Sequence, residues 1–361
     1  MTSRANINDV KKRFNMGTRT QIAPNSGGKQ MTKIYHDKDA DLSVLKGRTI
    51  AIIGYGNQGR AQALNMRDNG LKVIIGNIDD DYKKLAIKDG FKVYPIREAT
   101  NSGDIISLLL PDEVAPNMYK EQIENKLKEN KVINFASGYN IAFGLIEPPP
   151  FIDVVMVAPR CLGKFVRERF ERGEGFPSFF GVKQDHSGKA KEITLAIAKA
   201  IGSTRTGVLE LSLEQEAYID LFSEQGFGPV LGAVMVAEYA VLEEAGIPAE
   251  AILIELYMSG ELSEAFKAMA EIGLIKQMDF HSRTSQFGSI LASMNLDFEV
   301  REVIINYMKK ALENIKSGEF AKKWKEDMDA GYPLFNRLKE FREKNELAIV
   351  EKQVRKGLRM K

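Results

Sequence analysis

The chain has 361 residues, 44% of them hydrophobic, which is enough for about two domains whose cores need neither disulfide nor metal to fold. Lys and Arg number 51 against 49 Asp and Glu, and the formal net charge of +2 excludes a general attraction to nucleic acid or to an anionic membrane. The single cysteine, Cys161, excludes an internal disulfide framework, and the polar start, Met1 to Lys33, does not read as a secretory signal. A soluble protein of the reducing cytoplasm is expected.

Residues 1–33, rich in Asn, Ser, Gly and Lys, read as a flexible arm. From Lys46 strands and helices alternate. The runs Thr49–Ile53, Val73–Ile75, Ile105–Leu110, Lys131–Phe135 and Val154–Ala158 are nearly continuously apolar, as strands buried on both faces require. Helical patterns near 58–69 and 82–89 fall between them. The spacing predicts an α/β domain of Rossmann type, with a doubly wound parallel sheet, over residues 34–210. After that, strand-like runs give way to 3.6-residue periodicity at 213–245, 249–272 and 298–316, punctuated by Gly246, Pro248, Gly273 and Gly318. Residues 211–361 are therefore expected to be all-helical. The longest smooth apolar stretch, Gly226–Ala237, is too short to span a bilayer and reads as a buried helix. Helices apolar on more than one face, as over Val230–Ala240, predict a homodimer or larger homo-oligomer.

Gly54-Tyr55-Gly56-Asn57-Gln58-Gly59 follows a strand and opens a helix, the setting in which G-x-G-x-x-G binds a dinucleotide. The first glycine makes the tight turn and the second lets the backbone approach a pyrophosphate. The third packs the helix on the strand. The helix N-terminus offers unpaired N–H groups to the phosphates. After the second strand the loop reads Asn77-Ile78-Asp79-Asp80-Asp81. Asp79 lies 20 residues past Gly59, where an acid accepts the adenosine ribose hydroxyls and repels a 2′-phosphate. One of the three aspartates also suits a helix N-cap. The pattern favours NADH, with NADPH the weaker ligand; Lys83 and Lys84 follow.

In the helical part, Asp220 and Glu224 are four residues apart, hence on one helix face. Leu221 and Phe222 beside them suggest a largely buried helix, where two acids would need a cation such as Mg²⁺. A solvated acidic stripe is the alternative. Glu255, Glu261 and Glu264 show no i, i+4 pair, and His36, His186 and His281 are scattered.

Three segments together resemble the short, class I form of ketol-acid reductoisomerase: Ile52 to Ala63 around the glycine loop, Asp220-Leu221-Phe222-Ser223-Glu224-Gln225, and Ser317-Gly318-Glu319-Phe320-Ala321. The resemblance runs from about Ile34 to the C-terminal region. It implies a Rossmann domain followed by a knotted helical domain, with helices of two subunits completing each site. The implied reaction is an alkyl shift within a 2-acetolactate aided by two Mg²⁺ ions, then reduction by NADPH, in branched-chain amino-acid biosynthesis. By resemblance Asp220 and Glu224 become metal ligands. Glu261 matches the last acid of the second metal-ligand pair, and Ser282 the substrate-contacting serine. Pro111 and Asp112 lie beside the cofactor, as does Gly163.

The chain departs from that pattern at three positions. Ser137 stands where the family has an active-site histidine, Arg160 where it has a lysine near the metals, and Tyr257 where it has the earlier acid of the second pair. Serine cannot shuttle protons near neutral pH, and arginine does not release one. Ser137, Arg160, Glu261 and Ser282 remain the candidate catalytic residues. The expectation is a reductoisomerase-like oxidoreductase. The alternatives are a paralogue that only reduces a 2-keto acid, or a non-catalytic nucleotide-binding subunit.

Overall fold

The computed structural model describes residues 32–295 and 298–359, so most of the expected N-terminal arm lies outside the described residues. The described chain divides into two compact units, 32–220 and 221–359.

The first unit is built on a nine-stranded sheet. Its elements are β1 (Ile34–Tyr35), β2 (Thr49–Ile53), α1 (Asn57–Asp68), β3 (Lys72–Gly76), α2 (Asp81–Lys88), β4 (Val93–Tyr94), α3 (Ile96–Ser102), β5 (Ile105–Leu108), α4 (Ala115–Met118), β6 (Val132–Phe135), α5 (Tyr139–Ala142), β7 (Asp153–Pro159), α6 (Gly163–Glu171), β8 (Ser178–Gln184), α7 (Ala190–Ile201) and β9 (Val208–Glu210), with the start of α8 (Leu213–Phe222) at its end. Strand order is β1-β9-β8-β7-β6-β5-β2-β3-β4. The run from β4 to β7 is parallel, and strands β2, β5, β6 and β7 are buried along their whole length, as their apolar sequences require. One apolar cluster packs on each face: Ile50, Ile52, Met66 and Ile197 belong to one, Ile53, Ala99, Ile106 and Ile133 to the other.

Two features of the sheet differ from the expectation. The pairs β7–β8 and β1–β9 are antiparallel, so the sheet is mixed at one end. Strand β8 is buried at Ser178, Phe180 and Gly181 and partly or fully exposed at Val182, Lys183 and Gln184, so it carries no continuous apolar signal. The run Ile105–Leu110 also stops pairing as a strand at Leu108.

The chain passes from β2 to β3 on one side, then returns through α3 to β5 on the other. The strand order therefore reverses at β2, and the C-terminal ends of β2 and β5 flank the crevice where open α/β sheets bind their ligands.

The second unit is helical. It follows α8 with a π-helical turn, Ser223–Phe227, then α9 (Gly228–Glu244), α10 (Ala249–Leu253), a second π-turn at Ile254–Met258, α11 (Glu261–Ile272), α12 (Arg283–Asn295), α13 (Phe298–Lys316), α14 (Glu319–Asp329), α15 (Pro333–Glu343) and α16 (Glu346–Gly357). A small core joins Tyr239, Ile252, Leu253 and Met258 to Val354 of α16. The expected buried helix at 226–237 is instead part of one 32-residue helical run, Leu213–Glu244. It is long and apolar enough to cross a membrane by length and composition, yet only 6% of its most apolar window is buried. Val234, Val236 and Val241 are all more than half exposed.

Candidate active site

Each glycine of the loop has a separate physical task. Gly54 closes the turn at φ +92°, and a Cβ there would lie 2.8 Å from the Leu109 carbonyl oxygen. A Cβ on Gly59 would fall 2.0 Å from the Gly54 carbonyl oxygen, so α1 packs on β2 only because that position has no side chain. Gly56 is different: a Cβ would meet nothing within 4 Å. It caps α1 with no side-chain hydrogen bond to the first turn. Donors of that turn and a bare backbone are thus left to an incoming anion.

The loop is braced from outside. Asn77 Oδ1 accepts from the Tyr55 amide at 3.0 Å, and the Asn77 amide group donates to Asp80 Oδ1 at 2.8 Å. Gln58 Nε2 donates to the Cys161 carbonyl at 2.9 Å. Gly163 opens α6 so close to the loop that a Cβ would lie 2.0 Å from the Asn57 carbonyl oxygen. The Tyr55 hydroxyl, held by Asp89 at 2.9 Å, is pushed well above the usual phenol range, chiefly by burial. Tyr55, Gly56, Asn57, Gly163 and Lys164 line a cleft of about 450 Å³ together with Tyr82 of α2. A second cleft, about 230 Å³, is lined by Gln58, Pro111, Asp112, Ser137 and Asn140 at the ends of β5 and β6. Asn140 Nδ2 donates to Asp112 Oδ1 at 3.3 Å, and the Tyr139 amide donates to Ser137 Oγ at 3.2 Å. A nicotinamide dinucleotide fits this pair of clefts, and the open space over Gly56 is the cradle that a Cβ would fill.

The aspartate loop separates its three acids. Asp80 is the N-cap of α2, accepting from the Lys83 amide at 3.0 Å. It is therefore a structural acid. Asp79 is 87% exposed and pairs with Lys83 at 3.1 Å; Asp81 pairs with Lys84 at 2.8 Å. Both lysines that follow the loop are engaged by its acids.

On α8 the acid buried by the fold is Glu216, which the sequence reading passed over. Its side chain is fully buried, whereas that of Asp220 is 45% exposed. Glu216 Oε2 accepts from the Gly138 amide at 2.6 Å, and Oε1 pairs with Arg160 Nη2 at 2.8 Å. Arg160 Nη1 reaches Asp220 Oδ1 at 2.7 Å. Burial raises the Glu216 carboxyl above the ordinary range, against the lowering effect of the Gly138 amide and Arg160. The one available sequence signal was the four-residue step from Glu216 to Asp220, which the α-helix makes one face. Between Asp220 and Glu224 the α-helix ends at Phe222 and the chain continues with π bonding from Ser223.

The other expected site residues lie in the second unit. Glu261, exposed, begins α11. Ser282, exposed, precedes α12, and its Oγ accepts from the Ser285 amide at 3.2 Å, a capping role. The Tyr257 hydroxyl donates to the Glu351 carboxylate of α16. Among the described residues no three acid, histidine or cysteine side chains converge as a metal site. With Asp220 held by a guanidinium and a tyrosine at the position of the second acid, the donors present do not fit two divalent cations.

A sheet that reverses direction at β2, with a glycine loop and an unprotected helix N-terminus at that point, defines a nicotinamide-dependent oxidoreductase of Rossmann type. The comparisons with known proteins narrow this class. Residues 44–207 match the family described as acetohydroxy acid isomeroreductase, NADPH-binding domain, and residues 213–360 match ketol-acid reductoisomerase, C-terminal domain. A Saccharolobus solfataricus protein named "Putative ketol-acid reductoisomerase 3" is 47% identical over 327 residues, 90% of this chain and 97% of its own length. The ketol-acid reductoisomerase (NADP(+)) of Methanopyrus kandleri is 40% identical over 90% of this chain and 98% of its own. The solved structure of an NADH-preferring ketol-acid reductoisomerase from an uncultured archean superposes with a TM-score of 0.81 at 37% identity, covering 90% of this chain and 98% of that one. The chain belongs to the ketol-acid reductoisomerase family, and it is an enzyme.

Proposed function

We propose that the chain reduces a 3-hydroxy-2-keto acid, the isomer of a 2-acetolactate, with NADH as the preferred cofactor, and that it serves branched-chain amino-acid synthesis in the cytoplasm. The observation that carries this reading is the pair of clefts at the glycine loop, one lined by the bare backbone at Gly56 and the other by Gln58 and Ser137 at the ends of β5 and β6. Bound there, the reduced nicotinamide supplies hydride to the keto carbon. The loop Gly54, Tyr55, Gly56, Asn57, Gln58 and Gly59 holds the pyrophosphate, with Asn77 and Gly163 bracing it. Asp79 accepts the adenosine ribose hydroxyls, while Asp80 holds the loop in shape. Pro111, Asp112 and Ser137 wall the nicotinamide end, and the Ser137 hydroxyl offers a hydrogen bond to the reacting oxygen. Residues 34–210 form the dinucleotide-binding part, and 211–361, with Glu261 and Ser282, the part for substrate and dimerisation.

The relatives' names point to NADP(+), and the structural neighbour is described as NADH-preferring. The aspartate loop supports NADH here, because its lysines pair with its own acids. The family's two-step reaction also includes alkyl migration aided by Mg²⁺, with Asp220, Glu224 and Glu261 as the matching ligands. The donors present do not fit that metal, because Asp220 is held by Arg160 and Tyr257 by Glu351. A second reading, a reductase without isomerase activity, is favoured by the pairing of Arg160 with Asp220. One assay distinguishes the two: purified protein with NADH, and either 2-acetolactate or 3-hydroxy-3-methyl-2-ketobutyrate, followed by cofactor absorbance. Turnover of both supports the complete reductoisomerase. Turnover of the ketobutyrate alone supports the reductase. Turnover of neither, with NADH still bound, leaves a nucleotide-binding subunit and refutes the proposal.

A further inference from the structure

Two acids of α8 share one cation supplied by the protein itself. Arg160 follows the last residue of β7 and turns its two terminal nitrogens onto two carboxylates one helical turn apart, Glu216 at 2.8 Å and Asp220 at 2.7 Å. Its guanidinium stands 5.3 Å from the centre of the Phe179 ring. Behind it, the fully buried Glu216 is fixed by the Gly138 amide at 2.6 Å. Gly138 adjoins Ser137, which lines the second cleft. The guanidinium is thus one carboxylate away from the wall of that cleft. Three formal charges, two negative and one positive, are held in one chain of contacts.

A divalent cation on Asp220 would have to share that carboxylate with a guanidinium that cannot lose its proton. A flexible ammonium could swing away, but a fork on two carboxylates has its geometry set by both. At the other end of the family's ligand pattern Tyr257 donates to Glu351, so its oxygen is committed as well. A guanidinium carries five N–H donors, and two are used by these carboxylates. Arg160 is 26% exposed, so solvent and small anions can reach it.

We propose that Arg160 takes the place of a metal ion against Asp220: held by Glu216 and Asp220, it is a fixed cation that offers its remaining terminal N–H groups to the carboxylate or keto oxygen of a 2-keto acid, and Mg²⁺ does not bind at Asp220. This inference rests on the reductase reading above. Reduction then would need only hydride from the nicotinamide to the keto carbon and a proton from solvent water to the resulting alkoxide, giving a 2-hydroxy acid and the oxidised cofactor.

The test uses the full chain stripped with EDTA and titrated with Mn²⁺, with free ion read by electron paramagnetic resonance. Wild type should take up no Mn²⁺ with a Kd below about 1 mM, a free energy of only about 4 kcal/mol. Asp220→Asn should leave the titration unchanged. The variant Arg160→Lys should bind at least about tenfold tighter than wild type, because the fork that occupies Asp220 is gone. Reduction of 3-hydroxy-3-methyl-2-ketobutyrate by wild type should survive EDTA. Mn²⁺ binding by wild type in the micromolar range that Asp220→Asn abolishes would overturn the proposal without involving any variant of Arg160. So would reduction that EDTA stops and Mg²⁺ restores. If nothing is reduced and no Mn²⁺ binds, the reductase reading fails while the exclusion of metal from Asp220 stands.

Discussion

Replacing Asp79 with serine should reverse most of the preference for NADH while leaving the fold intact. The Asp79 side chain is 87% exposed and makes one ion pair, to Lys83 at 3.1 Å. The 2′-phosphate of NADPH carries about −1.5 to −2 charges. At about 4 Å in water-like dielectric each unit pair is worth about 1 kcal/mol, so the repulsion from Asp79 is about 1.5–2 kcal/mol. Lys83 on the same carboxylate, together with salt, removes about half of that. On the NADH side, charge-assisted bonds from ribose hydroxyls are worth about 1.5–3 kcal/mol when buried, and about 1 kcal/mol at so exposed a site. The two contributions sum to about 2 kcal/mol, or about thirtyfold in relative affinity. Calorimetric titration of both cofactors in 0.1 M salt, a Debye length of about 10 Å, measures the ratio. Asp79→Ser should also free Lys83 to face the phosphate, shifting the ratio in the same direction. Asp80→Ala is the control: it removes the cap of α2, costs about 0.5–2 kcal/mol of stability, and should weaken both cofactors alike. An unchanged ratio in Asp79→Ser, or tighter NADPH binding by wild type, would refute the reasoning.

Gly56→Ala should keep the melting temperature within a few degrees and lose most dinucleotide affinity, since its Cβ enters open space, whereas Gly59→Ala should lower the melting temperature itself because its Cβ collides with the Gly54 carbonyl. Thermal melts beside cofactor titrations separate the two. Asp89→Asn should be less stable than wild type at neutral pH: hydrogen bonds from Arg60 and Tyr55 hold the Asp89 carboxyl below its usual range, so its contribution is present above the unfolded value of 3.8 and is lost as pH falls through the folded one. The difference in melting temperature between the two proteins should close in acid, and a gap that persists at low pH would contradict this. Sedimentation at micromolar concentration should show a homodimer or larger assembly, because a 32-residue apolar helix with 6% of its window buried needs a second copy to cover it; a stable monomer would contradict that.

What the sequence determined by itself was local. The glycine loop, the apolar strands around it and the cap after β3 depend on residues a few positions apart, because a turn and a cap are short-range geometry. The resemblance to ketol-acid reductoisomerases rested on such segments, and the family comparisons agree with it. Which aspartate became the cap was open until the backbone of Asp80 and the Lys83 amide were placed. The fate of the acids on α8 was decided by tertiary structure alone. Arg160 lies 56 and 60 residues from its two partners, and Glu216 is buried because Gly138 packs on the start of α8, where even a Cβ would strike the Leu213 carbonyl. Periodicity reports which residues share a helix face. It does not report what packs on that face, and a carboxylate's chemistry depends on whether a cation, an amide or water meets it there.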